Sequence, residues 1–335
     1  MKSKHINLAL FVPQLGCPRQ CVFCNQRQIT GKVRMLEPED IDKAVKASAL
    51  ASPDEGEVRE IAFFGGSFTA IDREYMVSLL EAASKYVNSG LFTGIRISTR
   101  PDAVDAEVCK ILKKYSVSSV ELGAQSMDDG VLSLNKRGHR ACDVEKAVGI
   151  LKDFSFEIGL QMMTGLYGSD CEESLFTARK LIDLKPKTVR IYPTLVLKGT
   201  ELEDLYSRGL YKPQSLEDAV NLCSKLLLLF YEADIDVIRL GLHSGGLPDG
   251  YVAGPYHPAF RELCESKVYL QVARQAFKDL KAEPGSFCLR VNPRFISQMV
   301  GQGRSNLTSL KSEGYECRVR GNEGLGKYEV SVEII

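Results

Sequence analysis

The sequence predicts an α/β fold: a parallel sheet with helices outside it, followed by a small α+β domain. Two observations carry this. Apolar, β-branched runs alternate with amphipathic stretches along most of the chain, and that alternation changes rhythm at Ser286. Repeated strand–helix units argue for parallel strands joined by crossover helices. Six successive units fit a partial (β/α)6 barrel, and periodicity alone equally allows a doubly wound sheet. A length of 335 residues with 44% hydrophobic content supports one large domain with an appendage, or two domains.

The strands follow from the runs Ile6–Val12, Glu60–Gly65, Gly94–Thr99, Ser119–Ala124, Phe156–Met162, Thr188–Thr194 and Asp236–Leu242. Each is short, rich in β-branched or aromatic residues and bounded by turn formers. The helices follow from Pro38–Leu50, Arg73–Val87, Ala103–Tyr115, Asp143–Phe154, Glu172–Leu184 and Leu216–Ala233. Pro38 suits a first helical turn, and Asp143 and Asp128 suit helix starts. The expected division is a barrel over 1–240, a connecting helical segment over 241–285 that closes the open side of the barrel, and a small α+β domain over 286–335.

Composition narrows the function. Net charge is zero, so no global field draws nucleic acid, and any such interaction must be local. The apolar run Leu226–Tyr231 is far short of the ~18 residues of a membrane span. The N-terminal LALFVPQLGC is broken by Pro13 and Gln14, which does not suit a signal peptide and favours a cytoplasmic protein. Ten scattered cysteines then read as reduced thiols.

In parallel folds, ligands gather where strands end. The run LGCPRQCVFCNQ, after the first strand, holds Cys17, Cys21 and Cys24. A structural zinc site closes with four ligands, often two Cys pairs, and the other seven cysteines lie far away. Three thiolates without a fourth suit a [4Fe–4S] cluster whose remaining iron accepts an outside ligand. Zinc remains the alternative for soft sulfur ligands. GGSFT, with Gly65 and Gly66, follows the second strand, and STRPD the third. Paired glycines let backbone approach a ligand closely, or simply make a tight turn. Gln125 can hydrogen-bond hydroxyls, and Arg137 can pair with a carboxylate. Ser98, Arg100 and Gln161 are further polar groups at strand ends, and Gln161 equally suits a satisfied core network. Met162 and Met163 suit the core. The histidines are dispersed, with His243 placed after a strand.

The C-x-x-x-C-x-x-C spacing resembles that of the radical S-adenosylmethionine (SAM) enzymes. The resemblance implies a partial barrel, a [4Fe–4S] cluster on Cys17, Cys21 and Cys24, and SAM. By the same resemblance Gly65–Gly66 receive the SAM amino group, Phe23 lies near the adenine, Gln125 meets the ribose and Arg137 meets the carboxylate. Beside these, Ser98 and Gln161 are further candidates for contact with the cofactor. Reductive cleavage of SAM would give a 5′-deoxyadenosyl radical, fed by a low-potential donor of flavodoxin or ferredoxin type.

STRPD, VELGAQSMDDGVL, NKRGH and RIYPTLVLKGTELEDLYSRGLYKP further resemble the core of the Elongator catalytic subunit, over approximately residues 6–235. That family modifies the wobble uridine of tRNA with a group from acetyl-CoA, so the resemblance implies tRNA as a substrate. The sequence ends at Ile335 without room for the family's acetyltransferase domain, so the acetyl-CoA half is not carried over. Tyr192, Lys136 and Lys198 match the family core and are candidates for contact with substrate.

From Ser286 the order is strand, helix, GQGR, helix, strand, turn and strand. This resembles a KH-type RNA-binding module, whose loop clamps the nucleic-acid backbone. Gly301, Gln302, Gly303 and Arg304 form the loop, with Arg304 in place of the usual last glycine. Between Ser286 and Arg320 six Arg or Lys face two acids. A solvated basic face is the plain alternative. Two other functions remain open: a radical SAM enzyme for a small metabolite or porphyrin-like compound, and a non-enzymatic RNA-binding protein holding zinc.

Overall fold

The computed structural model describes residues 5–12, 21–25, 34–48, 56–242 and 250–335. Cys17 and His243, and the end of the first helix near Leu50, lie outside these residues. The barrel strands are β1 (His5–Val12), β2 (Val58–Gly65), β3 (Gly94–Thr99), β4 (Val117–Gln125), β5 (Glu157–Thr164) and β6 (Thr188–Pro193). They pair in parallel in chain order, and β8 (Asp236–Leu240) joins beside β6 to give a seven-stranded sheet, the curled half-barrel expected from the sequence. Between them lie α1 (Pro38–Ser48), α2 (Arg73–Asn88), α3 (Ala106–Lys114), α4 (Asp129–Leu134), α5 (Ala141–Asp153), α6 (Cys171–Asp183) and α7 (Glu201–Ser207). A short β7 (Val196–Leu197) pairs antiparallel with β9 (Tyr251–Ala253).

Side-chain alternation assigns the two faces of this sheet opposite jobs. Ile61 and Phe63, Ile95 and Ile97, Val120 and Leu122, Leu160, and Val189 and Ile191 are all fully buried on one face. The other face carries Glu60, Arg96, Ser98, Glu121, Gln161, Arg190 and Tyr192 in successive registered strands. The apolar face is the core, and the inner face is polar, with Glu60, Arg96, Glu121 and Arg190 buried in it.

Helix starts are locally encoded. Asp128 accepts from Val131 N at 2.8 Å and caps α4 as the sequence indicates. Asp143 sits inside α5, not before it: the helix begins at Ala141, and Asp143 accepts from Arg140 N at 2.8 Å as the third residue of a capping box. The stretch Pro101–Ala103 forms a separate 3₁₀ turn, so α3 starts at Ala106, capped by Asp105. Among the described residues no helix is long and apolar enough to cross a membrane.

A second compact unit contains Gln214–Asp234, Leu240–Gly246 and Pro255–Ile335. Its elements are α8 (Leu216–Glu232), α9 (Phe260–Asp279), β10 (Gly285–Val291), α10 (Ile296–Val300), α11 (Ser305–Ser312), β11 (Tyr315–Gly321) and β12 (Ser331–Ile334). Central β10 pairs in parallel with β11 and antiparallel with β12. The unit is larger than 286–335 because α9 supplies its core: Phe277 stacks on Tyr315 at 4.2 Å and meets Phe287 edge-on at 5.0 Å.

Candidate active site

Cys21 and Cys24 follow the end of β1, in a turn closed by Cys24 N donating to Cys21 O at 3.0 Å. The turn is held from three sides. Val22 N donates to Asn135 O at 3.3 Å, Leu202 N donates to Val22 O at 2.9 Å, and Asn25 Nδ2 donates to Lys198 O at 2.8 Å. Val22 also packs into a buried cluster with Val196, Leu202 and Tyr211, and Phe23 lies against the same cluster. A cavity of about 660 Å³ opens at Cys21 and Cys24, rimmed by Lys136, Thr200, Glu201 and Glu203.

The glycine pair wraps the end of β1. Gly65 has φ +110°, and a Cβ there would stand 2.4 Å from Val12 O, so only glycine fits. Gly66 N donates to Val12 O at 2.9 Å. The pair therefore packs directly on Val12, the last residue of β1. GGSFT and STRPD are knitted together: Thr99 Oγ1 lies 2.9 Å from Ser67 Oγ and 2.6 Å from Thr69 Oγ1, and Arg100 N donates to Ser67 Oγ at 3.0 Å.

Arg137 is brought to the cysteines. Its Nη1 donates to Cys21 Sγ at 3.2 Å and its Nη2 to Gly123 O at 2.8 Å. Its buried Nε has no partner among the described residues. Arg100 Nη2 donates to Arg137 O at 2.5 Å while its Nε meets Asp102 at 2.8 Å, which makes Arg100 a positioning residue. Gln125 ends β4 at φ +67°, beside a register shift between Gly123 and Gln125, and its buried Oε1 also lacks a partner among the described residues. A left-handed non-glycine residue at such a strand end is strained, a feature concentrated at functional sites.

The inner face deeper in the barrel is an ion ladder. Glu121 receives Arg190 Nη2 at 2.7 Å, Gln161 Nε2 at 2.9 Å and Arg96 Nη1 at 3.4 Å. Arg96 also reaches Glu60 at 2.6 Å and Glu157 at 2.8 Å. Burial alone would raise the Glu60 carboxyl, but His5, Arg96, Ser119 and Ser118 hold it down at about 2. Gln161 thus belongs to this network, and Ser98 is tied to it only by a 3.4 Å contact with Gln161 Nε2. Tyr192 shares the face, hydrogen-bonded to Arg190, and burial raises its hydroxyl. Lys136 lies apart from it at the cavity rim, bridged to Glu201 at 2.5 Å. Lys198 serves through its backbone, with N donating to Gly250 O at 2.8 Å.

Sequence reasoning missed His139. It is 4% exposed, its Nε2 meets Ala124 O at 3.1 Å and its Nδ1 has no partner among the described residues. Burial, with Arg137 and Arg100 nearby, pushes the imidazole down to about 4, so it is neutral. The clue lay in the run NKRGH, two residues after Arg137. The alternate polar residues within otherwise apolar strands were the corresponding sign of Glu121 and Arg190.

In the second unit, Gly301 has φ +80° and a Cβ there would meet Ser305 Oγ at 2.5 Å. Arg304 adopts φ +65°, the left-handed conformation a glycine would take. Of the basic residues near it, Arg290 pairs with Glu333 at 2.6 Å and Lys311 with Glu316 at 3.6 Å. Arg294, Arg304, Arg318 and Arg320 have no ion pair among the described residues.

These residues match known proteins. The chain matches the Radical SAM superfamily over residues 11–180 and the Radical_SAM C-terminal domain over 186–269. It belongs to the radical SAM superfamily and is a radical SAM enzyme. Within that class its core resembles Elongator-type proteins. It is 34% identical over 185 residues to the tRNA uridine(34) acetyltransferase of Methanocaldococcus jannaschii, covering 49% of this chain and 34% of that protein. It is 26% identical over 239 residues to the protein of that name from Dehalococcoides mccartyi, covering 62% and 52%. The chain thus spans about a third to a half of the length of these relatives. The structure of the archaeal Methanocaldococcus infernus Elp3 with its N-terminus deleted superposes with a TM-score of 0.60 at 22% identity, over 84% of this chain and 65% of that one.

The family implies SAM and a [4Fe–4S] cluster, and the described residues fit both. Two thiols stand at an open cavity, a buried guanidinium touches one of them, and buried polar atoms of Gln125 and Arg137 await partners.

Proposed function

We propose that this radical SAM enzyme modifies RNA, with a tRNA as substrate. Cys17, Cys21 and Cys24 would hold the [4Fe–4S] cluster. Gly65 and Gly66 would receive the SAM amino group, Arg137 its carboxylate and Gln125 its ribose, with Phe23 beside the adenine. Bound together, cluster and SAM supply one-electron cleavage to a 5′-deoxyadenosyl radical. The chain's own residues do the rest. Arg137, anchored through its carbonyl by Arg100, orients a carboxylate with a planar fork. The ion ladder below would keep the inner face rigid, and Tyr192, on that face beside Arg190, is a substrate-side candidate. Lys136 and Lys198 are substrate-side candidates at the loop rim.

The observation that carries the cofactor assignment is the Arg137–Cys21 contact at 3.2 Å beside the unpartnered Gln125 Oε1. The RNA assignment is supported by similarity to proteins named for tRNA uridine(34) and by Arg304 of the GQGR loop, which is exposed and has no ion pair among the described residues. An electron donor of flavodoxin or ferredoxin type and a cytoplasmic location complete the proposal. Nucleoside mass spectrometry of tRNA from a strain lacking the gene tests it. A modified uridine should be lost; an unchanged profile, with SAM cleavage stimulated by a metabolite and never by RNA, contradicts it.

A further inference from the structure

The second unit contains a cavity of about 250 Å³ between the start of α9 and the GQGR loop. Ala259 and Leu263 give it an apolar wall, and Glu262, Ser266, Gln298 and Gln302 give it a polar one. The polar groups differ in kind. Glu262 is acceptor-only when ionised. Ser297 Oγ donates to Gln298 Oε1 at 2.8 Å, which leaves the Gln298 amide N–H groups to donate. Ser266 Oγ accepts from Asn306 Nδ2 at 3.1 Å, which leaves its hydroxyl hydrogen to donate. Ser266 is 7% exposed, so this donor is set into the wall.

The cavity is built, not incidental. The two N–H groups of buried Asn306 Nδ2 are shared among close acceptors, Ser266 O at 2.8 Å and Gln298 O and Met299 O at 3.1 Å, which ties α11, α10 and α9 around the cavity. Gly301 closes one side, where any Cβ would strike Ser305 and Asn306. The next residues are exposed: Gln302, Gly303 and Arg304, whose guanidinium has no ion pair among the described residues.

We infer that this cavity receives one unstacked nucleobase of a single-stranded RNA, its edge read by Glu262, Ser266 and Gln298 and its phosphate held at Arg304. An apolar wall facing a mixed donor and acceptor edge suits a flat heterocycle whose rim alternates N–H and C=O groups. A carboxylate in the wall disfavours an anionic ligand there, which leaves the phosphate to the exposed arginine outside. The inference rests on the RNA-substrate reading and adds a base-reading site to it.

Fluorescence anisotropy of the full-length protein with short homopolymers of uridine, adenosine, cytidine and guanosine tests it at fixed salt. The wild type should prefer one base. Glu262→Ala, an exposed position whose folding is checked by circular dichroism, should weaken the preferred homopolymer about tenfold and level the four affinities. Arg304→Gln should weaken all four alike and lower the salt slope by about one. If Arg304→Gln weakens binding while Glu262→Ala and Gln298→Ala leave every affinity unchanged, the base site is wrong and RNA binding stands. If no homopolymer binds the wild type, the base site falls. Loss of a modified uridine in the deletion strain would then still uphold the RNA reading, and an unchanged profile would end that as well.

Discussion

Arg137 donates to Cys21 Sγ at 3.2 Å with one nitrogen and to Gly123 O at 2.8 Å with another, so a single guanidinium joins the cysteine loop to the end of β4. Arg100 fixes the same residue through its carbonyl. A charge buried in this way needs partners, and its unpartnered Nε marks where one more acceptor belongs.

Replacing Arg137 with alanine should therefore weaken SAM binding at least about tenfold, the scale of a lost charge-assisted hydrogen bond. Iron content should stay near that of the wild type. Lysine should recover only part of the affinity, because it lacks the fork. Anaerobic equilibrium dialysis reads the result, and an unchanged affinity would remove the carboxylate role.

Gln125 predicts a separation of stability from function. Glycine accepts φ +67° without strain, so Gln125→Gly should match or exceed the wild type in thermal stability, by up to ~1 kcal/mol. Its SAM affinity should fall severalfold with the loss of the amide. A clear drop in melting temperature would show that the side chain is structural instead.

Much of the barrel was legible because its helix-facing residues are uniformly apolar: Ile95 and Ile97, or Val189 and Ile191, define strands without help. The same rule hid the inner face. Arg96, Glu121 and Arg190 carry no motif that marks them, yet Arg96 and Glu121 are each 1% exposed. Only the curled sheet, which sets registered charges side by side, reveals that they neutralise one another. His139 was missed because its role depends on Ala124 O, fifteen residues away in the chain. The tail's basic count overstated its free charge, because Glu333, outside the counted stretch, takes up Arg290 and Lys311 bridges to Glu316.

The ladder makes Glu121→Leu a severe change. Arg96 and Arg190 would remain buried without their shared carboxylate, and breaking a buried pair from one side costs about 3–5 kcal/mol. Urea unfolding should show a large fall in midpoint. His5→Ala, at the half-exposed end of the ladder, should lose less, about 1 kcal/mol. Equal effects would contradict the central place of Glu121.

His139 and Glu60 predict acid sensitivity in two windows. The folded imidazole is pushed down to about 4 from 6.5, so the unfolded chain binds the proton more readily. Its contribution is intact above pH 6.5 and is lost as pH falls towards 4, by roughly 3 kcal/mol. Glu60, held at about 2 from 4.5, removes stability lower down, between those values. His139→Gln should flatten only the upper window in pH-dependent unfolding, and a slope unchanged there would exclude His139 as its source.

The most direct test is anaerobic reconstitution with iron and sulfide, followed by dithionite and SAM. The protein should hold about four irons and four sulfides and release 5′-deoxyadenosine, and the Cys17/Cys21/Cys24→Ala triple variant should do neither. Bound zinc in place of iron, or 5′-deoxyadenosine released undiminished by the triple variant, would contradict the account.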